Sequence, residues 1–162
     1  MKKILLFLLF FLPLFLGAGF YFLDKEYFLC PIAYRQDMVI RCDTRGNGFF
    51  AASRSGNRTH QGLDLLAEMG AQVKASRAGI VAAATHRRGM GNYIILRHPG
   101  NLITIYGHLL SIYVQPGQLV RQGQTIGAVG KTGNANYRDI QPHLHFEVRK
   151  NGTPQDPLEY LE

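Results

Sequence analysis

Several things are missing from this 162-residue sequence, and each absence removes a class of protein. No run of five or more basic residues and no RNA- or DNA-binding motif is present, so nucleic acid is not an expected partner. No heptad pattern or internal repeat occurs, and no low-complexity segment lies beyond the apolar N-terminus, which argues against a coiled coil or a repeat array. Cysteine is limited to Cys30 and Cys42, so a disulfide-built scaffold is excluded. GAVGKTG hints at a phosphate-binding loop, but that pattern needs glycine six positions before Lys131, and Thr125 stands there. What is left has room for one compact domain of about 115–120 residues, enough to bury a core without covalent staples.

Lys2 and Lys3 precede an uncharged run from Ile4 to Leu23, and Asp24-Lys25-Glu26 follows it. Twenty apolar residues suffice to span a bilayer, with the lysines on the cytoplasmic side. Residues 1–23 are therefore expected to be a membrane anchor. A cleaved signal peptide is the alternative, because Gly17, Ala18 and Gly19 are small enough for a cleavage site. Either way the remainder is exported, as an inner-membrane-anchored periplasmic protein or as a secreted one. In an oxidising compartment an even cysteine count makes a Cys30–Cys42 disulfide the default, with two free thiols as the rival. CPI and VIRC are expected to form two short antiparallel strands under that bridge, within an exported linker of residues 24–44. The formal charge of +7 suits cell-wall polymer or anionic lipid, and equally suits plain solubility.

Residues 45–162 read as an all-β domain, a compact, half-barrel-like antiparallel sheet. QVKASRAGIVAAATH holds two short strand runs. GNYIILRH and LITIYGHL flank a Pro99-Gly100-Asn101 turn as a hairpin, and HLHFEVRK ends at an Asn-Gly turn. Leu65 to Gly70 is expected to form one helical turn at most. Alternation in LITIYGHL places Thr104, Tyr106 and His108 on one face, and in HLHFEV it places His143 and His145 opposite Leu144 and Phe146.

Four of the six histidines and one aspartate carry the chemistry. His60 and Asp64 lie four apart in HQGLD, His108 ends YGH, and His143 and His145 flank a leucine. Two imidazoles and a carboxylate are the ligand set of a catalytic zinc with an open fourth position, and two further histidines remain to handle protons. His86, in what reads as a loop, has no ligand partner at useful spacing, and His98 reads as structural or surface.

HQGLD, YGHL and HLHFEV, in this order, resemble the signature of lysostaphin/LytM-type zinc endopeptidases, which cleave peptidoglycan peptides. The likeness runs from Gly46 to Leu161 and takes in RSGNRTHQGLDL and VQPGQLVRQGQTIGAVGKTG. The resemblance implies one Zn2+ per chain, held by His60, Asp64 and His145, with His108 and His143 as catalytic histidines. Which of the two is the general base stays open. It also implies a peptidoglycan peptide as substrate, with D-Ala–diaminopimelate cross-links and glycine bridges both in play. Degenerate relatives that regulate other wall hydrolases supply the second reading. One departure is NANYRDIQP, longer and more polar than the usual linker, which reads either as a cleft border where Asn134, Tyr137 and Arg138 tune substrate choice or as a neutral surface insertion.

Overall fold

The computed structural model describes residues 27–162, so the N-terminal apolar run and its expected anchor lie outside the described residues. Among the described residues no helix is long and apolar enough to cross a membrane. Thirteen strands and two single 3-10 turns make up the regular structure of the described residues, as the all-β reading expected. The strands are β1 (Cys42–Asp43), β2 (Gly46–Asn47), β3 (Ser53–Arg54), β4 (Arg58–Thr59), β5 (Leu63–Leu66), β6 (Gln72–Lys74) and β7 (Gly79–Arg87). They continue with β8 (Gly91–His98), β9 (Leu102–Ile112), β10 (Leu119–Val120), β11 (Thr125–Val129), β12 (His143–Lys150) and β13 (Thr153–Gln155).

Nine of these form one antiparallel sheet. Its main path runs β10-β7-β8-β9-β11-β6, and β12 joins β9 to β5 and β13. Strand β9 is the hinge of this arrangement. Its first half, to Gly107, pairs with β12, and its second half, from Leu109, pairs with β11. The sheet divides at His108, whose φ of +61° lies in the left-handed region. β-strands alternate only while the ladder is regular, and an irregularity resets the faces.

That irregularity corrects one expectation. Thr104 and Tyr106 do not share the cleft with His108: Tyr106 is fully buried in the core against Phe146, and its hydroxyl accepts hydrogen bonds from Thr104 Oγ1 at 3.0 Å and the Ser76 amide at 2.9 Å. In β12 the alternation holds. Leu144, Phe146 and Val148 point into the core, and His143, His145 and Glu147 occupy the other face. Leu63 and Leu65 of β5 do the same around Asp64. Each such apolar side chain contributes about 1.5–3 kcal/mol on burial. The core therefore clamps both strands that carry the polar cluster. Leu65 and Leu66 end β5, and the chain then turns, so no helical turn forms there. At the other end of β12, Asn151 and Gly152 both take positive φ, which a tight primed hairpin turn requires.

The segment from Tyr27 to Asn47 packs on the domain, with Phe28 and Ile32 buried. The cysteine expectation is corrected: Cys30 and Cys42 are free thiols, and Cys30 Sγ lies 3.9 Å from Met38 Sδ. CPI and VIRC also do not pair with each other. Phe28 bridges to Leu161, Ile40 to Leu65, and Cys42–Asp43 turns back on Gly46–Asn47. Each stretch finds its hydrogen bonds elsewhere, so the thiols are never brought face to face. His98 is structural, as expected. It is buried with Nδ1 2.7 Å from the Ala78 carbonyl and Nε2 2.8 Å from Thr104 Oγ1. His86 lies in β7 instead of a loop, exposed and 3.0 Å from Asn92 Oδ1.

Candidate metal centre and cleft

The register of two strands assembles the centre. His145 of β12 lies directly opposite Asp64 of β5, so their side chains share one face. On the other flank His145 faces Gly107, where a Cβ would meet His145 Cβ at 3.4 Å and Met90 Cε at 2.9 Å. A side chain there would press on the imidazole. His60, just before β5, completes the group.

His60 Nε2, Asp64 Oδ1 and His145 Nδ1 form a triangle with sides of 3.0, 2.9 and 3.0 Å. All three residues are buried, and together they could hold a metal ion. Tetrahedral zinc with bonds of about 2.0–2.1 Å spaces its ligand atoms by about 3.3 Å. The triangle is within a few tenths of an ångström of that spacing, so the donor set fits a small tetrahedral cation.

Each donor is fixed from behind, as metal-ligating side chains generally are. His60 Nδ1–H donates to the Phe49 carbonyl at 2.9 Å, leaving Nε2 for the triangle. His145 uses the opposite pair: Nδ1 faces Asp64, and Nε2–H donates to Glu147 Oε1 at 3.0 Å. Glu147 Oε2 in turn accepts from Arg149 Nε at 2.7 Å. The second oxygen of Asp64 is claimed by arginines, with Arg41 Nη2 at 3.0 Å and Arg54 Nη2 at 3.5 Å. Only Oδ1 is then free to face a cation.

The other two histidines of the sequence pattern stand beside the triangle. His108 and His143 meet edge to face with ring centroids 5.0 Å apart, and His108 lies 5.7 Å from the His145 ring. His143 Nδ1–H donates to the Gln141 carbonyl at 2.7 Å, and His108 Nδ1–H to the Thr132 carbonyl at 3.0 Å. These bonds set the tautomer, leaving each Nε2 as the atom that can accept a proton. All five expected residues line one cavity of about 670 Å³. Of the NANYRDIQP loop, Asn134, Ala135 and Ile140 line it. Tyr137 instead lies under the Arg45 guanidinium, 4.8 Å from ring centroid to Cζ.

The electrostatics of the protein groups divide in two. Burial disfavours the Asp64 carboxylate, yet hydrogen bonds from His145 and His60 outweigh it and hold the group well below the usual carboxylate range. Burial would likewise lower His145, but its bonds to Asp64 and Glu147 raise it to about 9. His108, buried and beside His145 and His143, is lowered to about 3. His143 is lowered too, by burial above all. Both are neutral bases at pH 7.

The sequence pattern misses Arg41, Arg54 and Glu147. Glu147 had a signal, since it continues the period of two from His143 and His145 along β12. Arg41 had none, because it reaches Asp64 across 23 residues.

Comparison with known proteins matches this arrangement. The profile described as peptidase family M23 matches residues 58–157. The chain belongs to that family. Among curated M23-like relatives, the peptidoglycan DD-endopeptidase ShyC of Vibrio cholerae is 39% identical over 100 residues, covering 62% of this chain and 22% of its own. The murein hydrolase activator NlpD of Salmonella dublin is 36% identical over 113 residues, covering 69% of this chain and 28% of its own. The chain thus spans less than a third of the length of either. Among solved structures, a zinc containing peptidase from Vibrio cholerae superposes with TM-score 0.65 at 32% identity, over 82% of this chain and 39% of that one. The catalytic domain of lysostaphin from Staphylococcus simulans gives TM-score 0.61 at 32% identity, over 73% of this chain and 91% of that one. The lysostaphin resemblance read from HQGLD, YGHL and HLHFEV therefore holds at the level of the family.

Proposed function

We propose that this protein is a zinc-dependent endopeptidase that hydrolyses peptide cross-links or stem peptides of bacterial peptidoglycan, exported to the cell envelope and held there by its N-terminal apolar run. The observation that carries the reading is the intact triangle of His60, Asp64 and His145 with His108 and His143 beside it. Zinc bound by those three residues would supply a Lewis acid that polarises a peptide carbonyl and acidifies water at neutral pH.

The chain's own groups do the rest. Arg41 and Arg54 hold Asp64 Oδ2, so that the carboxylate is turned to present Oδ1. Glu147 orients His145. His108 and His143, neutral at pH 7 with Nε2 free of the backbone, take a proton from the attacking water and return one to the departing amine. Their N–H groups, once protonated, stabilise negative charge on the former carbonyl oxygen. A second reading, a wall-binding module that activates another hydrolase, is favoured by the likeness to the activator NlpD.

The test is incubation of the purified full chain with zinc and isolated muropeptides, read by mass spectrometry beside His108→Ala. New peptide termini that fall about 10²–10⁴-fold in rate in the variant are expected. A folded, zinc-loaded wild type that releases no products would overturn the enzymatic reading in favour of the activator.

A further inference from the structure

Four arginines line the cleft, Arg41, Arg45, Arg54 and Arg58, against two acidic residues, Asp64 and Glu147. Most of this charge is already committed. Arg41 is paired with Asp43 and Asp64, Arg45 Nε lies 2.7 Å from Asp139 Oδ2, and Glu147 is paired with Arg149. Arg54 reaches Asp64 with one nitrogen at 3.5 Å, and otherwise donates to the carbonyls of Asn47 and Ser53. Arg58 has no carboxylate partner among the described residues. Its guanidinium meets only the Ser55 carbonyl at 3.0 Å and the Ser55 hydroxyl at 3.4 Å.

These last two share one short hairpin at the cleft edge. Arg54 and Arg58 are directly opposite in the two-residue β3–β4 ladder, and like charges so placed destabilise a strand pair. The hairpin gains little from its own packing, since Ser53, Ser55, Gly56, Asn57, Arg58 and Thr59 are all exposed. A carboxylate entering this edge of the cleft would meet donors from both side chains, because guanidinium presents paired donors that match a carboxylate. Arg54 ties this position to the metal centre through Asp64, so the anion would sit at the edge of the site where a peptide bond is cleaved.

We propose that Arg54 and Arg58 form a carboxylate-binding subsite, which selects peptides carrying a free carboxylate next to the scissile amide. The proposal rests on the peptidoglycan reading of the same cleft. It favours a D-alanyl–diaminopimelate cross-link, whose diaminopimelate bears a free carboxylate on the carbon attached to the scissile nitrogen. An internal glycine–glycine bond offers no such group.

Fluorescent cross-linked peptides of the D-alanyl–diaminopimelate type, with that carboxylate either free or amidated, provide the test. Binding is read by anisotropy on zinc-loaded full chain carrying His108→Ala, so that the probe is not consumed, with and without Arg58→Gln. The free acid is expected to bind at least 10-fold more tightly than the amide. Arg58→Gln should weaken the acid by about that factor and leave the amide unchanged, and the same split should appear as a change in KM for the acid in an otherwise wild-type chain. Equal binding of acid and amide, or equal weakening of both by Arg58→Gln, overturns the subsite. Discrimination in binding without cleavage by the wild type would uphold the subsite and remove the endopeptidase reading, so the two failures are separable.

Discussion

Replacing Arg41 with methionine tests whether the chain ahead of the family match is part of the candidate metal centre. Arg41 is 4% exposed, and its Nη2 lies 3.0 Å from Asp64 Oδ2. Two unit charges at that distance attract by about 5 kcal/mol in an effective dielectric of about 20, and desolvation cancels much of it. Removing one partner of a buried pair is a different matter: it leaves a buried charge uncompensated and typically costs about 3–5 kcal/mol. Two features of the site reduce that loss. Arg54 already lies 3.5 Å from the same oxygen, and His60 and His145 both contact Oδ1. The expected cost for metal-stripped protein is therefore at the lower end, about 3 kcal/mol. A bound cation would replace part of the missing positive charge, so the loss should be smaller with saturating zinc. Urea unfolding of Arg41→Met in chelator and in zinc measures both values. Because Arg54 stands in for Arg41, the Arg41→Met/Arg54→Met double variant should lose more than the sum of the singles. A loss below about 1 kcal/mol without metal, or strict additivity, would refute the claim that Arg41 neutralises Asp64.

Glu147→Gln keeps the shape of the second His145 contact and removes its charge, so zinc affinity should fall about 10–100-fold in competition with a chelating dye. Metal-stripped protein should lose stability on both sides of neutrality. His145 is raised to about 9, so its contribution is complete below its unfolded value of about 6.5 and disappears as pH rises through 9. On the acid side His108 is lowered to about 3, so the unfolded chain binds more protons between about 6.5 and 3, and stability falls as pH falls through that window. Thermal melts across pH in chelator check both slopes, and His108→Ala should flatten the acid one. Phe28→Ala empties a fully buried position that meets His98 and Tyr160 edge to face, and should cost about 3–5 kcal/mol in urea unfolding. A loss under 1 kcal/mol would mean that the Phe28 stretch is not anchored on the domain.

Much of the centre was legible because strand periodicity is short-ranged. HLHFEV puts His143 and His145 on one face wherever β12 pairs, and the structure keeps that alternation with Leu144 and Phe146 in the core. LITIYGHL failed under the same rule because the ladder is broken at His108. A positive φ at a non-glycine residue cannot be read from local pattern, and it sends Tyr106 to the core and His108 to the cleft. The cysteines failed for a related reason. An even count says only that a bridge is chemically available, whereas bridging requires the two backbones to be neighbours. Here Cys30 sits against Met38 while Cys42 turns into its own hairpin.

The polar surroundings of the triangle were not legible because they come from separate parts of the chain. His60 is oriented by the Phe49 carbonyl, and Asp64 by Arg41 and Arg54, all three of which precede the matched region of residues 58–157. The same early segment is bonded to the Asp64 backbone: the Arg41 amide donates to the Asp64 carbonyl, and the Asp64 amide to the Gly48 carbonyl, both at 2.8 Å. Gly48 allows this approach, since a Cβ there would meet the Arg41 carbonyl oxygen at 2.6 Å and Asp64 Cβ at 2.8 Å. The spacing of His60, Asp64 and His145 thus identifies the donors, but the direction each donor faces is set by backbone contacts that no spacing encodes. A bulkier residue at Gly48 would press on Asp64 while leaving the sequence of HQGLD, YGHL and HLHFEV unchanged, and that separates where this centre is written in the sequence from where it is held in the fold.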